Sequence, residues 1–192
     1  QRLFVWDEAK VRTLLATLKE RQFVPPVTIG SFRDASGNMN LILDGQQRLT
    51  SILLAYLGLF PDKVAFKRKE IELANDNDDA EEDRPSLDNI MKWTFRELTT
   101  KGRTKSDILS KIVQGNYKTV DWDVDEDFFN TRFLGFSYLV PYDGSDAEQQ
   151  KYYSTVFRNI NIQGETLDPQ ESRASLYFLK KSMARFFNPE FS

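Results

Sequence analysis

Two apolar runs joined by a short polar turn constrain this chain more than any other feature. Leu41-Ile42-Leu43 reads as a buried strand, Asp44-Gly45-Gln46-Gln47-Arg48 interrupts it, and Leu49 to Leu57 reads as a helix. A strand that stops at Asp-Gly and restarts as a helix presents backbone N–H groups that the helix itself does not satisfy. Together with the helix dipole, those groups favour an anion. Arg48 adds a fixed cation and Thr50 a hydroxyl at the same place. The turn is therefore a candidate pocket for a phosphorylated ligand. The residues alone leave a second reading open. Asp-Gly is a common turn, Gln-Gln-Arg an ordinary first helical turn, and Arg48 a natural partner for Asp44.

Elements on either side can be read from period and punctuation. Asp7 is a plausible N-cap for a helix through about Gln22, with Val11, Leu14, Leu15 and Leu18 on its buried face. Val27 to Phe32 reads as a strand, Asp34 to Asn38 as a hairpin turn, and Met39 to Leu43 as the return strand. Gly58 is a helix-ending residue, with Pro61 following. Helices are expected over Leu87–Leu98, with Ile90, Met91, Trp93, Phe95 and Leu98 in the core, and over Ser106–Val113, stopping at Gly115. Phe133 to Val140 is expected as a buried strand closing the sheet. Ala147 to Ile160 reads as a helix with Tyr153, Val156, Phe157 and Ile160 on one face. Asp168-Pro169-Gln170-Glu171 reads as the start of a last one. The expected organisation is a core over 1–71, an acidic loop or linker over 72–90, and a mainly helical remainder over 91–192. The chain opens on Gln1 without an initiator Met, which reads as a fragment or as missing upstream residues.

Composition narrows the chemistry. The 192 residues contain neither Cys nor His, so thiolate chemistry, disulfides, Ser-His-Asp triads and His-dependent metal sites cannot be built from this chain alone. Hydrolysis here would have to run on carboxylates, amides, Arg, Lys, hydroxyls and a metal ion. The formal net charge of −3 gives no support for DNA binding through a broad basic face. That charge is uneven: residues 1–71 carry a basic excess, 72–90 are strongly acidic, and the remainder balances. The acidic stretch reads as a solvated loop rather than a metal site, because carboxylates spread along a loop rarely converge on one ion. No apolar run is long enough to span a bilayer and no signal peptide is visible, so a cytoplasmic, non-membrane protein is expected.

Three constellations place polar residues at element ends: Gln1-Arg2 with Trp6, Asp44 to Thr50, and Asn159-Ile160-Asn161 through Gly164, Leu167 and Glu171. Each has a structural reading of its own: a surface pair beside a core Trp6, a turn, and a helix junction with a good cap. Together, in this order and at these separations, they resemble the N-terminal domain family of the GmrS/GmrD-type modification-dependent restriction systems. That family opens on Tyr-Gln-Arg-x-x-x-Trp, carries Asp-Gly-Gln-Gln-Arg-Leu-Thr at its core, and has a later Phe-x-x-Ile-Asn-x-x-Gly-x-x-Leu-x-x-x-Glu segment. Here these appear as Gln1 to Trp6, as Asp44 to Thr50 complete, and as Phe157 to Leu167 with Glu171. The residues that usually precede Gln1 are absent from the sequence.

The resemblance implies an α+β fold with a ParB/sulfiredoxin-like core and small mixed sheet, followed by a mainly helical region. It implies nucleoside triphosphate binding and hydrolysis at the core motif, in a system that defends against foreign or modified DNA. It also implies a nuclease domain or subunit outside this chain, since relatives precede a His-dependent nuclease and this chain has no His. Under that reading Gly45 to Gln47 cradle the phosphates and Arg48 neutralises them bidentately, with Arg2, beside Gln1, as a second cation. Asp44 holds Mg²⁺ or orients the attacking water, and Gln46 or Gln47 positions that water. Asn161 and Glu171 are candidates for the far wall. Thr50 is either a ligand or a structural hydroxyl. Phe4 and Trp6 are expected in the core, with stacking on a base as the alternative. The competing readings are a nucleotide-gated module without turnover, a ParB-like DNA nuclease using the same pocket, and a purely structural partner domain.

Overall fold

The computed structural model describes residues 4–34, 37–65, 68, 94–112, 116–141 and 145–162. The expected acidic stretch at 72–90, most of the helix proposed over Leu87–Leu98, and the last helix starting at Asp168 lie outside them. The described chain is mixed α/β, with small sheets. Its elements run α1 (Glu8–Lys19), β1 (Val27–Asp34), β2 (Gly37–Asp44), α2 (Gln46–Leu57), β3 (Leu59–Pro61), α3 (Thr94–Thr99), α4 (Lys105–Lys111), β4 (Tyr117–Thr119), α5 (Glu126–Thr131), β5 (Phe136–Leu139) and α6 (Asp146–Ile162).

These elements fall into two compact units. One holds β1, β2, β5 and α6. The other holds α1, α2, β3, α3, α4, β4 and α5. Each draws on segments both before and after residues 72–90. The chain passes from the first unit to the second between Gly45 and Gln46, inside the Asp44–Thr50 stretch.

The sheet unit is built on the β1–β2 hairpin, paired antiparallel from Thr28↔Asp44 to Asp34↔Gly37. The turn expected over Asp34–Asn38 is shorter than that, because Asp34 pairs with Gly37 and Arg33 with Asn38, so these residues extend the two strands. Its register shifts between Thr28 and Ile29, so the pairing skips Leu43. β5 adds parallel to β1, giving the order β2-β1-β5 and a mixed sheet. α6 packs on β1 and β2, and its Tyr153 ring lies where a Cβ at Gly30 would sit. Only glycine permits that approach. The Tyr153 hydroxyl donates to the carbonyls of Ser31 and Leu139, so one side chain ties the helix to two strands. Burial, with Tyr152 and Tyr138 nearby, pushes the Tyr153 phenol up to about 12.

The expected strand at Phe133–Val140 forms over Phe136–Leu139, but it is not buried. Phe133, Phe136, Tyr138 and Val140 are all more than half exposed. The cause is position. β5 is paired only to β1, and its side chains alternate between a half-buried set, Ser137 and Leu139, and an exposed set. Tyr138 anchors its polar end by donating to Asn40 Oδ1.

The helical unit owns the larger hydrophobic core. Val11, Leu14, Leu15 and Leu18 of α1 are buried as the i, i+3, i+4, i+7 spacing requires. They join Phe4, Leu54, Leu57, Phe60, Leu98, Ile108, Trp122 and Phe128 in one cluster. Each fully buried Leu or Phe contributes about 1.5–3 kcal/mol relative to exposure. α1 starts at its Asp7 cap, whose carboxylate accepts from Lys10 N–H at 2.8 Å. The β3–β4 ribbon pairs Leu59↔Thr119 to Pro61↔Tyr117 and is clamped by Trp122, whose Nε1–H donates to the Leu59 carbonyl at 3.3 Å. Arg12 lies over the Trp122 ring at 5.1 Å and donates to the Asp121 carbonyl, fixing α1 to the segment after β4. Among the described residues no helix is long and apolar enough to cross a membrane.

Candidate functional site

Asp44 is the last residue of β2 and half-buried. The register shift lies immediately before it, and such bulges re-aim the side chains beside them. Gly45 is buried and takes φ 92°. A residue with a Cβ is strained there, so the Asp-Gly pair is a geometric requirement of the strand-to-helix turn. α2 begins at Gln46, three residues before the apolar run that announces it in the sequence. Gln46, Gln47 and Arg48 therefore form its first turn rather than a loop.

The start of α2 has two electrostatic properties. Gly45 has no side chain with which to cap the helix, and the first turn contains no acidic residue. Nothing within the helix itself offsets the positive end of its dipole, and Arg48 adds a full positive charge. Arg48 is half-buried, with its Nε buried. A partly desolvated guanidinium at a helix N-terminus suits a phosphate or carboxylate better than an exposed one does.

Gln47 is only 8% exposed, and its Oε1 accepts from Val5 N–H at 3.0 Å and, more weakly, from Trp6 N–H at 3.4 Å. That oxygen is engaged by main chain, so Gln47 serves as a brace between the first turn of α2 and the segment leading into α1. Phe4, one residue earlier, is 1% exposed and meets Phe60 edge-on at 6.1 Å, which places it in the core as expected. Trp6 is partly buried against the same cluster. Neither this bond nor its partners carry a sequence signature, because a side chain reaching a main-chain N–H more than forty residues away leaves no periodic trace.

Thr50 is 1% exposed and Ser51 fully buried, and neither hydroxyl has a hydrogen-bond partner among the described residues. Buried hydroxyls are usually satisfied, so this pair marks α2 as a helix carrying more polarity than its packing uses. Asn161 is the penultimate residue of α6, and its side chain lies outside the described set, as do Gln1, Arg2 and Glu171. The structure thus places the Asp44–Thr50 group on one strand–turn–helix. Among the described residues no group of three or more acidic side chains is placed to hold a metal ion. Asp44 alone would suit Mg²⁺ in the manner of sites that use one or two carboxylates and complete the octahedron with phosphate oxygens and water.

A hairpin whose second strand runs through a positive-φ glycine into a helix that opens on Gln-Gln-Arg defines an Asp-Gly-Gln-Gln-Arg protein of the mixed α/β class. The family model described as GmrSD restriction endonuclease, N-terminal domain, matches residues 1–178, and the chain belongs to that family. It is therefore a component of the restriction and phage-defence class of systems. Neither a curated protein nor a solved structure matches the chain.

Proposed function

We propose that this chain is the nucleotide-binding and nucleotide-hydrolysing domain of its restriction system, with the phosphates held at the Asp44–Arg48 turn and the core of ParB/sulfiredoxin-like type. The observation that carries the reading is the start of α2. It follows a glycine at φ 92°, has no acidic residue in its first turn, and bears Arg48 there instead. Backbone N–H groups at such a turn bind phosphate oxygens, and Arg48 meets a second pair of them through its planar fork. Mg²⁺, when bound, would neutralise the charge that develops on the phosphates. Asp44 is the residue to hold it or to orient the attacking water. Gln46 is the amide to position that water, because the Gln47 carbonyl oxygen is already engaged. Arg2, next to Gln1, supplies the second cation, Asn161 and Glu171 the far wall, and Thr50 either a ligand or a structural hydroxyl. DNA cleavage belongs to a nuclease domain or subunit outside these residues, in the cytoplasm.

One observation favours a second reading, in which nucleotide binding switches the domain without turnover. The motif supplies one carboxylate, and no acidic group of three gathers among the described residues. A thermal-shift panel of ATP, GTP, CTP and UTP with and without Mg²⁺, followed by a phosphate-release assay, tests both. Arg48→Ala is expected to weaken triphosphate binding by about 10–100-fold. Asp44→Ala is expected to abolish release while sparing much of the binding. Unchanged binding by folded Arg48→Ala removes the phosphate assignment. Tight binding with no release by the intact protein selects the switch.

A further inference from the structure

The geometry points to Gln47 as a positioning residue that makes occupancy of the α2 turn and attachment of the Phe4–Trp6 segment one linked equilibrium. The inference rests on the phosphate reading of that turn and goes further, because it assigns the regulation of the site to a bond that touches no ligand.

Gln47 lies between Gln46 and Arg48, the two side chains that the phosphate reading assigns to water and phosphate. Gln47 is turned away from solvent, 8% exposed, with Oε1 on the N–H groups of Val5 and Trp6. The attached segment is gripped on both sides of that bond. Phe4 is buried in the core cluster, and Asp7 caps α1. The chain from Phe4 to Asp7 therefore has little slack, and the brace fixes the rotation of the first turn of α2 against the start of α1. Displacing the Val5–Trp6 segment takes both main-chain donors from the Gln47 carbonyl oxygen, which is costly for a residue only 8% exposed. A ligand that needs Arg48 in one orientation binds better to the braced state than to the released one. By reciprocity it holds the brace closed by the same factor.

The test uses the full chain and two substitutions that cut the bond from opposite ends. Gln47→Met removes the acceptor at nearly constant length. Val5→Pro removes the nearer of the two donors, at a residue that is 46% exposed, and leaves only the longer bond from Trp6 N–H. Each is followed by amide hydrogen exchange at Trp6 and by titration with each of the four Mg²⁺–nucleoside triphosphates. The expected result is about tenfold faster Trp6 exchange and about tenfold weaker triphosphate binding in each variant, with the double substitution no worse than either single one. In the unsubstituted protein the triphosphate is expected to slow Val5 and Trp6 exchange by a similar factor. Four results overturn the proposal. Wild-type exchange at Val5 and Trp6 in Gln47→Met shows that the bond is absent in solution. Faster exchange with unchanged triphosphate affinity shows that the brace is structural only, and leaves the phosphate reading standing. Additive losses in the double variant show that the two residues act separately. Failure of the unsubstituted protein to bind any of the four triphosphates overturns both readings, and differs from the other results because no substitution is involved.

Discussion

Helices α1 and α2 belong to the same compact unit and begin in opposite ways. α1 starts on Asp7, whose carboxylate accepts from Lys10 N–H, and Glu8 follows in its first turn. α5 repeats the pattern with Asp125, Glu126 and Asp127, and α4 uses Thr104 with Asp107. α2 starts on Gly45 and has Arg48 but no acidic residue in its first turn. An acidic side chain in the first turn contributes about 0.3–1 kcal/mol through the dipole alone, and a capping oxygen about 1 kcal/mol more. α1, α4 and α5 each cap their own first turn with a side-chain oxygen. In α2 neither contribution comes from the residue at Gly45 or from the first turn.

The sharpest way to break that contrast is to give α2 the kind of start that α1 has. Gly45→Asp supplies a carboxylate but forces a residue with a Cβ to φ 92°. Triphosphate affinity is expected to fall by about 100-fold or more, because an internal anion competes for the turn that Arg48 and the helix end present. Gly45→Ala separates the two causes, since it carries the strain without the charge. A loss in Gly45→Ala as large as that in Gly45→Asp would mean that the backbone turn alone matters. Unchanged affinity in Gly45→Asp would remove the electrostatic half of the contrast.

The sheet unit offers the next test, since its helix α6 is held from the side as well as from its end. Ser145 N–H and hydroxyl both donate to Glu148 at the start of α6, and those bonds hold the exposed Glu148 carboxyl below its usual range. Tyr153 then fixes the middle of the helix to β1 and to the end of β5. Tyr153→Phe is expected to cost about 1–2 kcal/mol in urea unfolding at pH 8. The pH dependence has a defined sign. The folded phenol sits at about 12 against about 10 in an unfolded chain, so folding favours the protonated form. The resulting stability is complete below pH about 10 and is lost as pH rises towards 12. The gap between wild type and Tyr153→Phe should therefore narrow over that window. A constant gap from pH 8 to 11.5 would show that the hydroxyl is not desolvated.

The parts of this fold that are legible in sequence are those in which a local signal and a buried face agree. Asp7 followed by Val11, Leu14, Leu15 and Leu18 specifies α1 to within a few residues, and the polar break between apolar runs specifies that β1 and β2 pair, though the strands reach further into that break, to Asp34 and Gly37. The start of α2 is displaced because Gln46, Gln47 and Arg48 carry no apolar period, yet they are helical once Gly45 has turned the chain. β3 and β4 leave no trace, since three residues are too few to alternate and Pro61 argues against a strand until it sits on an edge. α5 is not expected from the sequence, because its six residues show little period, although Asp125 caps it and Glu126 and Asp127 make its first turn acidic. Exposure of Phe136 and Tyr138 depends on which strand ends up at the edge, and that is a property of the whole sheet. The candidate site divides in the same way. The Asp44–Thr50 motif is contiguous and readable. The brace from Gln47 to Val5 depends on distant backbone, which no spacing encodes.

The smallest expected effects come from two aspartates two residues apart, and they show whether geometry or charge governs the acid-capped helices. Asp125 Oδ1 accepts from Phe128 N–H at 2.9 Å, at the foot of a helix whose Phe128 is 6% exposed in the core. Asp123 is in the open, paired with Lys19 at 2.8 Å, and that hydrogen bond and charge lower its carboxyl below the usual range. Asp125→Ala is expected to cost about 1 kcal/mol, seen as a lower midpoint in urea, with triphosphate affinity unchanged. Asp125→Asn keeps the capping oxygen and should lose only the dipole contribution, about 0.3–1 kcal/mol. Asp123→Asn should leave the midpoint at pH 7 where it is, because exposed ion pairs are screened and their side chains must be ordered to form them. Equal losses at 123 and 125 would mean that net negative charge near the end of α5, rather than a capping bond, stabilises that helix. The contrast with α2 would then be one of charge alone.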